Sequence, residues 1–212
     1  MQIVIALYDR FTALDAVGPH QVLAHVPAAE IIFASERARA VSDETGTLTL
    51  GADASYADVP HPDVLLIPGG PGQSAHMGDG PLRDWIIEAD KTTTWTTSVC
   101  TGSLILAAAG LLTGRLATTY WLAMNELASL GAKPVHDRYV FDGKYATSAG
   151  VSAGIDMALA LAGRIVGDEG AQRIQLGIEY DPQPPYQSGS PATAKPEIVG
   201  YFTSKSRFAG QG

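Results

Sequence analysis

TTWTTSVCTGSLILAAA, residues 93–109, is the stretch that decides the fold. Its first part, Thr93–Val99, is rich in β-branched residues and predicts a strand. Thr101–Ala109 combines small residues with helix formers and predicts a helix that Gly110 ends. Cys100 therefore falls at a sharp strand-to-helix turn, the layout in which some α/β proteins expose a nucleophile.

The alternation of strands and helices continues in both directions along the chain. Further strands are predicted at Gln2–Leu7, Glu30–Ser35 and Asp63–Ile67, with a hairpin arm or edge strand at Val41–Leu50 and a hairpin at His136–Ser148 that turns at Asp142-Gly143. Helices are predicted at Thr12–His25, where Pro19 favours a kink or a late start, and at Pro81–Ala89, Tyr120–Leu130, Ala153–Ile165 and Glu169–Ile178. Tyr180–Pro191 is predicted to be an extended arm, and Lys205–Gly212 is expected to fray. The order predicts a three-layer α/β fold with a mostly parallel central sheet, whose ligands bind at the carboxyl ends of the strands.

Composition narrows the class of protein. The chain has 212 residues, and this length predicts one domain spanning 1–212. Hydrophobic residues make up 46%, charged residues 17%, and the mean hydropathy is +0.08, which is typical of a globular protein. A net charge of −8 without a basic stripe argues against binding to nucleic acid or to anionic membranes. The longest apolar run, Leu104–Ala109, is too short to span a bilayer, and Asp9 and Arg10 interrupt any secretory signal, so a cytoplasmic protein is expected.

Cys100 is the only cysteine, which excludes an internal disulfide and a cysteine-cluster metal site. A cysteine at a helix N-terminus feels the helix dipole, so we expect the pKa of the Cys100 thiol to lie below its usual value of about 8.5. Such a thiol is a candidate nucleophile. A lone cysteine is equally often a small buried hydrophobic residue, and its position alone leaves both interpretations open.

Asp15 also has two interpretations. Thr12 followed three residues later by Asp15 is a capping-box variant, which gives the carboxylate a purely structural role. Alternatively, the first loop lies beside the end of the Cys100 strand, and a neighbouring negative charge raises the pKa of the Asp15 carboxyl. A protonated Asp15 could then act as a general acid.

Glycines supply the remaining candidates. Gly69, Gly70 and Gly72 follow a buried strand, where their N–H groups could bind an anionic intermediate or simply form a turn. Gly150 is a weaker candidate, since it also fits an ordinary turn before a Ser152 helix cap. No Gly-Lys-Ser/Thr follows the glycines, so a P-loop is excluded. His20 and His25 lie five residues apart on a predicted helix, which is poor spacing for metal ligands, and no metal site is expected from them.

These motifs resemble the ThiJ/PfpI superfamily, the glutamine-amidotransferase-like α/β proteins, and within it the group of bacterial isocyanide hydratases. The resemblance covers nearly the whole chain. It rests on the segments LDAVGPH (14–20), LIPGG (66–70), SVCTGS (98–103), GLL (110–112), ATT (117–119), AGID (153–156), QL (175–176), EYDPQPP (179–185) and GSP (189–191). The segment around 179–191 is the most specific, whereas the Cys-Thr-Gly turn is shared with sensor domains.

The resemblance implies a homodimer of flavodoxin-like domains that hydrates a small-molecule isocyanide without a cofactor. It implies that Cys100 is the nucleophile, Asp15 its acid–base partner, and Thr101 the hydroxyl that contacts water or the intermediate. Relatives commonly have histidine where this chain has Tyr120, so Tyr120 is expected to change the polarity of the pocket. A redox or ligand sensor, or another hydrolase or glyoxalase-like enzyme of the superfamily, remains an alternative.

Overall fold

The computed structural model describes residues 1–208. The strands are β1 Gln2–Ala6, β2 Glu30–Ser35, β3 Arg39–Ser42, β4 Thr49–Ala52, β5 Ala54–Ser55, β6 Val64–Ile67, β7 Trp95–Val99, β8 Leu116–Ala117, β9 Lys133–Pro134, β10 Tyr139–Asp142 and β11 Tyr145–Ser148. The α-helices are α1 Ala13–Leu23, α2 Pro81–Asp90, α3 Gly102–Ala108, α4 Met124–Ser129, α5 Ala153–Gly177 and α6 Pro196–Lys205. Short 3₁₀ turns lie at Tyr56–Asp58, Pro71–His76 and Trp121–Ala123.

Seven strands form the central sheet in the order β10-β11-β7-β6-β1-β2-β5. Every neighbouring pair is parallel except the β10–β11 hairpin. Every residue of β6 is buried, and in β1 and β7 only the first residue is partly exposed. These strands carry Val, Ile, Leu and Thr, as expected for a parallel sheet covered on both faces. The predicted flavodoxin-like three-layer fold is confirmed.

The connections change direction between β1 and β6. From β1 the chain crosses through α1 to β2 on one side, whereas from β6 it crosses through α2 to β7 on the other side. Because such crossovers are right-handed, the two helices cover opposite faces of the sheet. The contacts agree, since α1 packs against α5, and α3 packs against both α2 and α4. The carboxyl ends of β1 and β6 therefore flank a topological switch point, where α/β folds bind ligands.

Several local predictions are confirmed, and others are corrected. The Asp142-Gly143 hairpin forms, and Gly167, with φ of 79°, divides α5 into the two predicted helices. The weak 41–50 segment forms the separate β3–β4 hairpin. The first helix does not start late, because it runs from Ala13 to Leu23 with Pro19 inside it. The frayed end predicted for 205–212 is wrong for residues 205–208, which pack over the sheet's carboxyl edge, and 209–212 lie outside the described residues.

Candidate active site

The predicted site residues converge at the switch point. Asp15 lies in the first turn of α1, Gly69 and Gly70 follow β6, and Cys100 follows β7. Beside them lies a cavity of about 350 Å³ whose lining includes Gly70, Cys100, Thr101 and Tyr120. The residues come from elements far apart in sequence because the carboxyl ends of neighbouring parallel strands meet at one edge of the sheet.

Cys100 occupies a strained turn that its neighbours hold in place. Its φ is 56°, a left-handed conformation that is uncommon outside glycine. Its N–H donates to the Ser148 carbonyl at 3.0 Å, and its carbonyl accepts from the Thr119 and Ser103 hydroxyls, both at 3.0 Å. A non-glycine residue persists in such a conformation when surrounding contacts fix it, and these positions cluster at functional sites. The structure therefore contains the strand-to-helix turn predicted from the sequence, and the backbone of this turn is strained at Cys100.

Asp15 is fully buried and is not a helix cap. In a capping box its carboxylate would accept from the Thr12 N–H. That N–H instead donates to the Gly69 carbonyl at 2.8 Å, and the Thr12 hydroxyl donates to Glu44 at 2.7 Å. Asp15 Oδ2 accepts the Gly69 N–H at 2.9 Å, while Oδ1 has no hydrogen-bond partner among the described residues. The capping interpretation is therefore wrong.

Burial raises the pKa of the Asp15 carboxyl to about 8. The charge of Glu44 contributes to this raised pKa, whereas hydrogen bonds with the Gly69 N–H and the Cys100 side chain oppose it. Asp15 is therefore protonated at neutral pH. Because Oδ2 accepts from Gly69, we assign the proton to Oδ1, the oxygen without a partner among the described residues. The site thus holds a buried carboxylic acid next to a thiol.

The prediction that the pKa of the Cys100 thiol is lowered is wrong. Burial of the sulfur raises the pKa of the thiol well above its ordinary value, and the nearby Asp15 carboxyl raises it further. The Thr101 N–H and hydroxyl act in the opposite direction but do not outweigh burial. Sequence predicts the helix N-terminus but not that the sulfur is shielded from water, and this shielding dominates.

The glycine loop supports the site in a different way from that predicted. The Gly69 N–H is committed to Asp15, and the Gly70 N–H donates to Thr101 Oγ1 at 3.0 Å. Neither amide is free to bind an anion. Gly72 does not line the cavity, and its N–H donates to the Arg10 carbonyl at 3.2 Å. The turn therefore positions the acid and the hydroxyl rather than forming an oxyanion hole.

At two positions in the site, neighbouring atoms lie too close for any residue other than glycine. A Cβ on Gly69 would lie 2.5 Å from the Thr101 nitrogen, and a Cβ on Gly150 would lie 2.8 Å from Cys100 Sγ. Gly150 also lies against the ring of Tyr120. Gly150 and Tyr120 thus meet at the sulfur, as expected for residues that shape its pocket, although no charge-binding role for Gly150 is visible.

The sequence interpretation missed several residues of the cavity. Glu44, from the β3–β4 turn, lines it and influences Asp15. Leu122 and Val151 add apolar surface, and the end of the chain adds Phe202, Lys205, Ser206, Arg207 and Phe208. Only Val151 lies beside a residue singled out from sequence, because the others depend on long-range packing.

Three features are absent from residues 1–208, namely a histidine in the cavity lining, a cluster of metal ligands and a membrane-spanning helix. None of the five histidines lines the cavity, and no group of three or more His, Cys, Asp or Glu side chains is arranged to hold a metal ion. Within the same residues, no helix is both long enough and apolar enough to cross a membrane.

Comparison with known proteins identifies one matching family and a similar protein of known name. The model of the DJ-1/PfpI family matches residues 1–164. The isonitrile hydratase of Pseudomonas putida is 43% identical over 199 residues, which cover 94% of this chain and 87% of that protein.

Solved structures agree with this result. A ThiJ/PfpI family protein from Pseudomonas syringae superposes with a TM-score of 0.94 at 33% identity, covering 99% of this chain and 88% of that one. Drosophila melanogaster DJ-1beta has a TM-score of 0.75 at 24% identity, over 85% of this chain and 98% of its own, and shows the fold alone. The similarity to the first structure includes the C-terminal region that the family model leaves unmatched.

Proposed function

This chain belongs to the DJ-1/PfpI family, and from that premise we propose that it is an isocyanide hydratase, converting R–N≡C and water to the formamide R–NH–CHO. Its 43% identity to isonitrile hydratase over 94% of the chain supports this activity. The observation that carries the proposal is the buried pair of Cys100 and Asp15, with Asp15 Oδ1 lacking any hydrogen-bond partner among residues 1–208. An isocyanide needs a nucleophile and a proton at one carbon atom, and this pair supplies both.

In the first half-reaction, Cys100 Sγ attacks the terminal isocyanide carbon. A C–S bond forms, and Asp15 Oδ1 delivers a proton to the same carbon while the thiol proton passes to the carboxyl. The product is the thioimidate R–N=CH–S–Cys100. Overall, S–H has added to the carbon, so electrons and protons balance without a redox step.

The raised pKa values of both groups fit this addition. The net reaction consumes a thiol, not a free thiolate, and Asp15 must be protonated when the substrate arrives. Burial raises the pKa of Asp15 to about 8 and so keeps its proton in place at neutral pH. Proton transfer through a positioned acid is worth roughly 10²–10⁴-fold in rate.

In the second half-reaction, water attacks the thioimidate carbon. Asp15, which carries the former thiol proton, gives that proton to the nitrogen and takes one from the attacking water, giving R–NH–CH(OH)–S–Cys100. The adduct then collapses: the C–S bond breaks, the hydroxyl proton returns to sulfur, and R–NH–CHO leaves. We assign Thr101, whose hydroxyl is held by the Gly70 N–H, to orient the water.

Gly150 and Tyr120 are assigned to shaping the space around the sulfur. Gly150 gives the substrate carbon room beside Sγ, since a Cβ there would lie 2.8 Å from the sulfur. Tyr120 presents a half-buried ring to the same space, and burial raises the pKa of its phenol. The ring remains a neutral hydrogen-bond donor where a histidine could carry charge.

A homodimer is part of the proposal. The arm 180–191 contains no helix or strand, and nearly all of its residues are exposed. Leu176 before the arm and Tyr186 within it are each 79% exposed. Exposed large apolar side chains are the kind of surface that association buries. A second copy of the chain would bury them.

The proposal is tested by following formamide formation from an aryl isocyanide. Wild type should produce formamide, Cys100→Ser should produce none above background, and Asp15→Asn should lose roughly 10²-fold or more in turnover. Asn keeps the shape and the Gly69 hydrogen bond but cannot cycle a proton. The control is alkylation of Cys100, which should proceed in Asp15→Asn. A well-folded wild type that hydrates no isocyanide would contradict the proposal and favour a cysteine sensor.

A further inference from the structure

The end of the chain forms part of the cavity that contains Cys100. The last turn of α6 and the residues after it contribute Phe202, Lys205, Ser206, Arg207 and Phe208 to its lining. We refer to residues 202–208 as the C-terminal wall. No residue of α6 is buried in the body of the protein. The wall is therefore held chiefly by the residues after the helix.

Arg207 anchors the wall beside the nucleophile. Its Nη1 donates to the Pro71 carbonyl at 2.8 Å, and its Nη2 contacts the Gly70 carbonyl at 3.3 Å and Gln73 Oε1. The guanidinium also lies 4.8 Å from the centre of the Phe208 ring. Because the N–H of Gly70 holds the Thr101 hydroxyl, one turn connects Arg207 to the site. The planar guanidinium of an arginine can reach several fixed acceptors at once while it stacks on a ring.

The surface that the wall presents to the cavity is largely apolar. Phe202 is 47% exposed although it lines the cavity, and Phe208 is partly buried beside it. Leu122 and Val151 complete an apolar lining with these rings. An exposed aromatic ring beside a reactive sulfur is a surface on which an apolar ligand group can lie.

The wall lies outside the part of the chain that the family shares. The family model ends at residue 164, whereas Asp15, Gly69, Gly70 and Cys100 all lie within it. The chemistry thus comes from the shared region, and this surface comes from the added one. Residues that distinguish substrates are expected in the added part.

We propose that the C-terminal wall binds the R group of the substrate and selects isocyanides with an aromatic or bulky apolar substituent over small alkyl isocyanides. Phe202 and Phe208 are the contact residues, and Arg207 is a positioning residue that docks them. The inference rests on the proposed hydratase function, whose attacked carbon must lie at Cys100 Sγ. The R group then extends into the remaining cavity.

The kinetic test compares phenyl isocyanide with methyl isocyanide. Phe202→Ala and Arg207→Ala should each lower the ratio of kcat/KM for phenyl over methyl by roughly tenfold, the order expected for losing the burial of one aromatic face. The loss should fall on KM for the phenyl substrate, not on kcat. Ile198→Ala, one turn earlier on α6 and outside the cavity lining, is the matched control and should leave the ratio unchanged. An unchanged ratio in both wall variants would overturn the proposal.

A second readout separates the wall from the chemistry. Cys100 is the only cysteine, so alkylation reports this site alone. The rate ratio of N-phenylmaleimide to N-methylmaleimide should fall in Phe202→Ala and Arg207→Ala but not in Ile198→Ala. If wild type hydrates neither isocyanide, the proposed function fails, and the maleimide ratio still decides on the wall. An equal ratio in all variants refutes the wall even if hydration is found. Melting temperatures verify that each variant is folded.

Discussion

Replacing Asp15 by Asn should make the protein more stable at neutral pH and change how its stability depends on pH. In the folded state the pKa of Asp15 is about 8, whereas its ordinary value is 3.8. Between these values folding takes up a proton, so the free energy of unfolding of wild type falls by about 1.4 kcal/mol per pH unit through this one group. Relative to a group that stays protonated in both states, Asp15 lowers the free energy of unfolding by about 4 kcal/mol at pH 7 and by about 1–2 kcal/mol at pH 5.

Asn resembles the protonated acid and can still accept the Gly69 N–H, so it avoids the penalty. Urea unfolding at pH 5 and pH 7 is the measurement. The stability gained by Asp15→Asn should be larger at pH 7 by about 3 kcal/mol, twice the loss per pH unit. Asp53→Asn, which changes an exposed carboxylate, should follow wild type at both pH values. Equal gains for Asp15→Asn at pH 5 and pH 7 would refute the conclusion that Asp15 is protonated in the fold.

Four further results are expected. The rate of Cys100 alkylation against pH should have its midpoint above about 8.5, because burial raises the pKa of the thiol; the midpoint should be lower in Asp15→Asn, and a wild-type midpoint below 8.5 would contradict this. Gly69→Ala should destabilise the fold and lower activity at least tenfold, since its Cβ would lie 2.5 Å from the Thr101 nitrogen; an unaffected enzyme would show that the turn can move. Changing any one of the five histidines to Gln should keep turnover within about tenfold, less than the loss of an acid–base group, and a thousandfold loss would reveal a missed base. Sedimentation at micromolar concentration should show a dimer, and a monomer would contradict the role given to the arm 180–191.

The sequence predicts the parallel sheet and the meeting of Asp15 with Cys100 because both depend on order along the chain. A strand followed by a helix places the intervening residue at the sheet's carboxyl edge, whatever the details of packing. The strained turn at Cys100 follows from the same local pattern. These features need no knowledge of which side chains are buried.

Burial and distant contacts decide the features that the sequence does not predict. The helix N-terminus before α3 indicates a lowered thiol pKa, but burial of the sulfur reverses the direction. The amides of Gly69 and Gly70 look free in sequence, yet both are used by side chains of the site. Arg207 contacts Pro71 across 136 residues of chain, which no local pattern indicates.

The most direct test of the mechanism is the intact mass of the enzyme quenched in acid during turnover of phenyl isocyanide. The proposed thioimidate adds the whole isocyanide to Cys100 with no atom lost. We therefore expect a species heavier by the mass of one isocyanide in wild type, its absence in Cys100→Ser, and its decay as phenylformamide appears. Formamide produced at the wild-type rate by Cys100→Ser, or turnover of wild type through a species that never carries this added mass, would contradict covalent catalysis by Cys100.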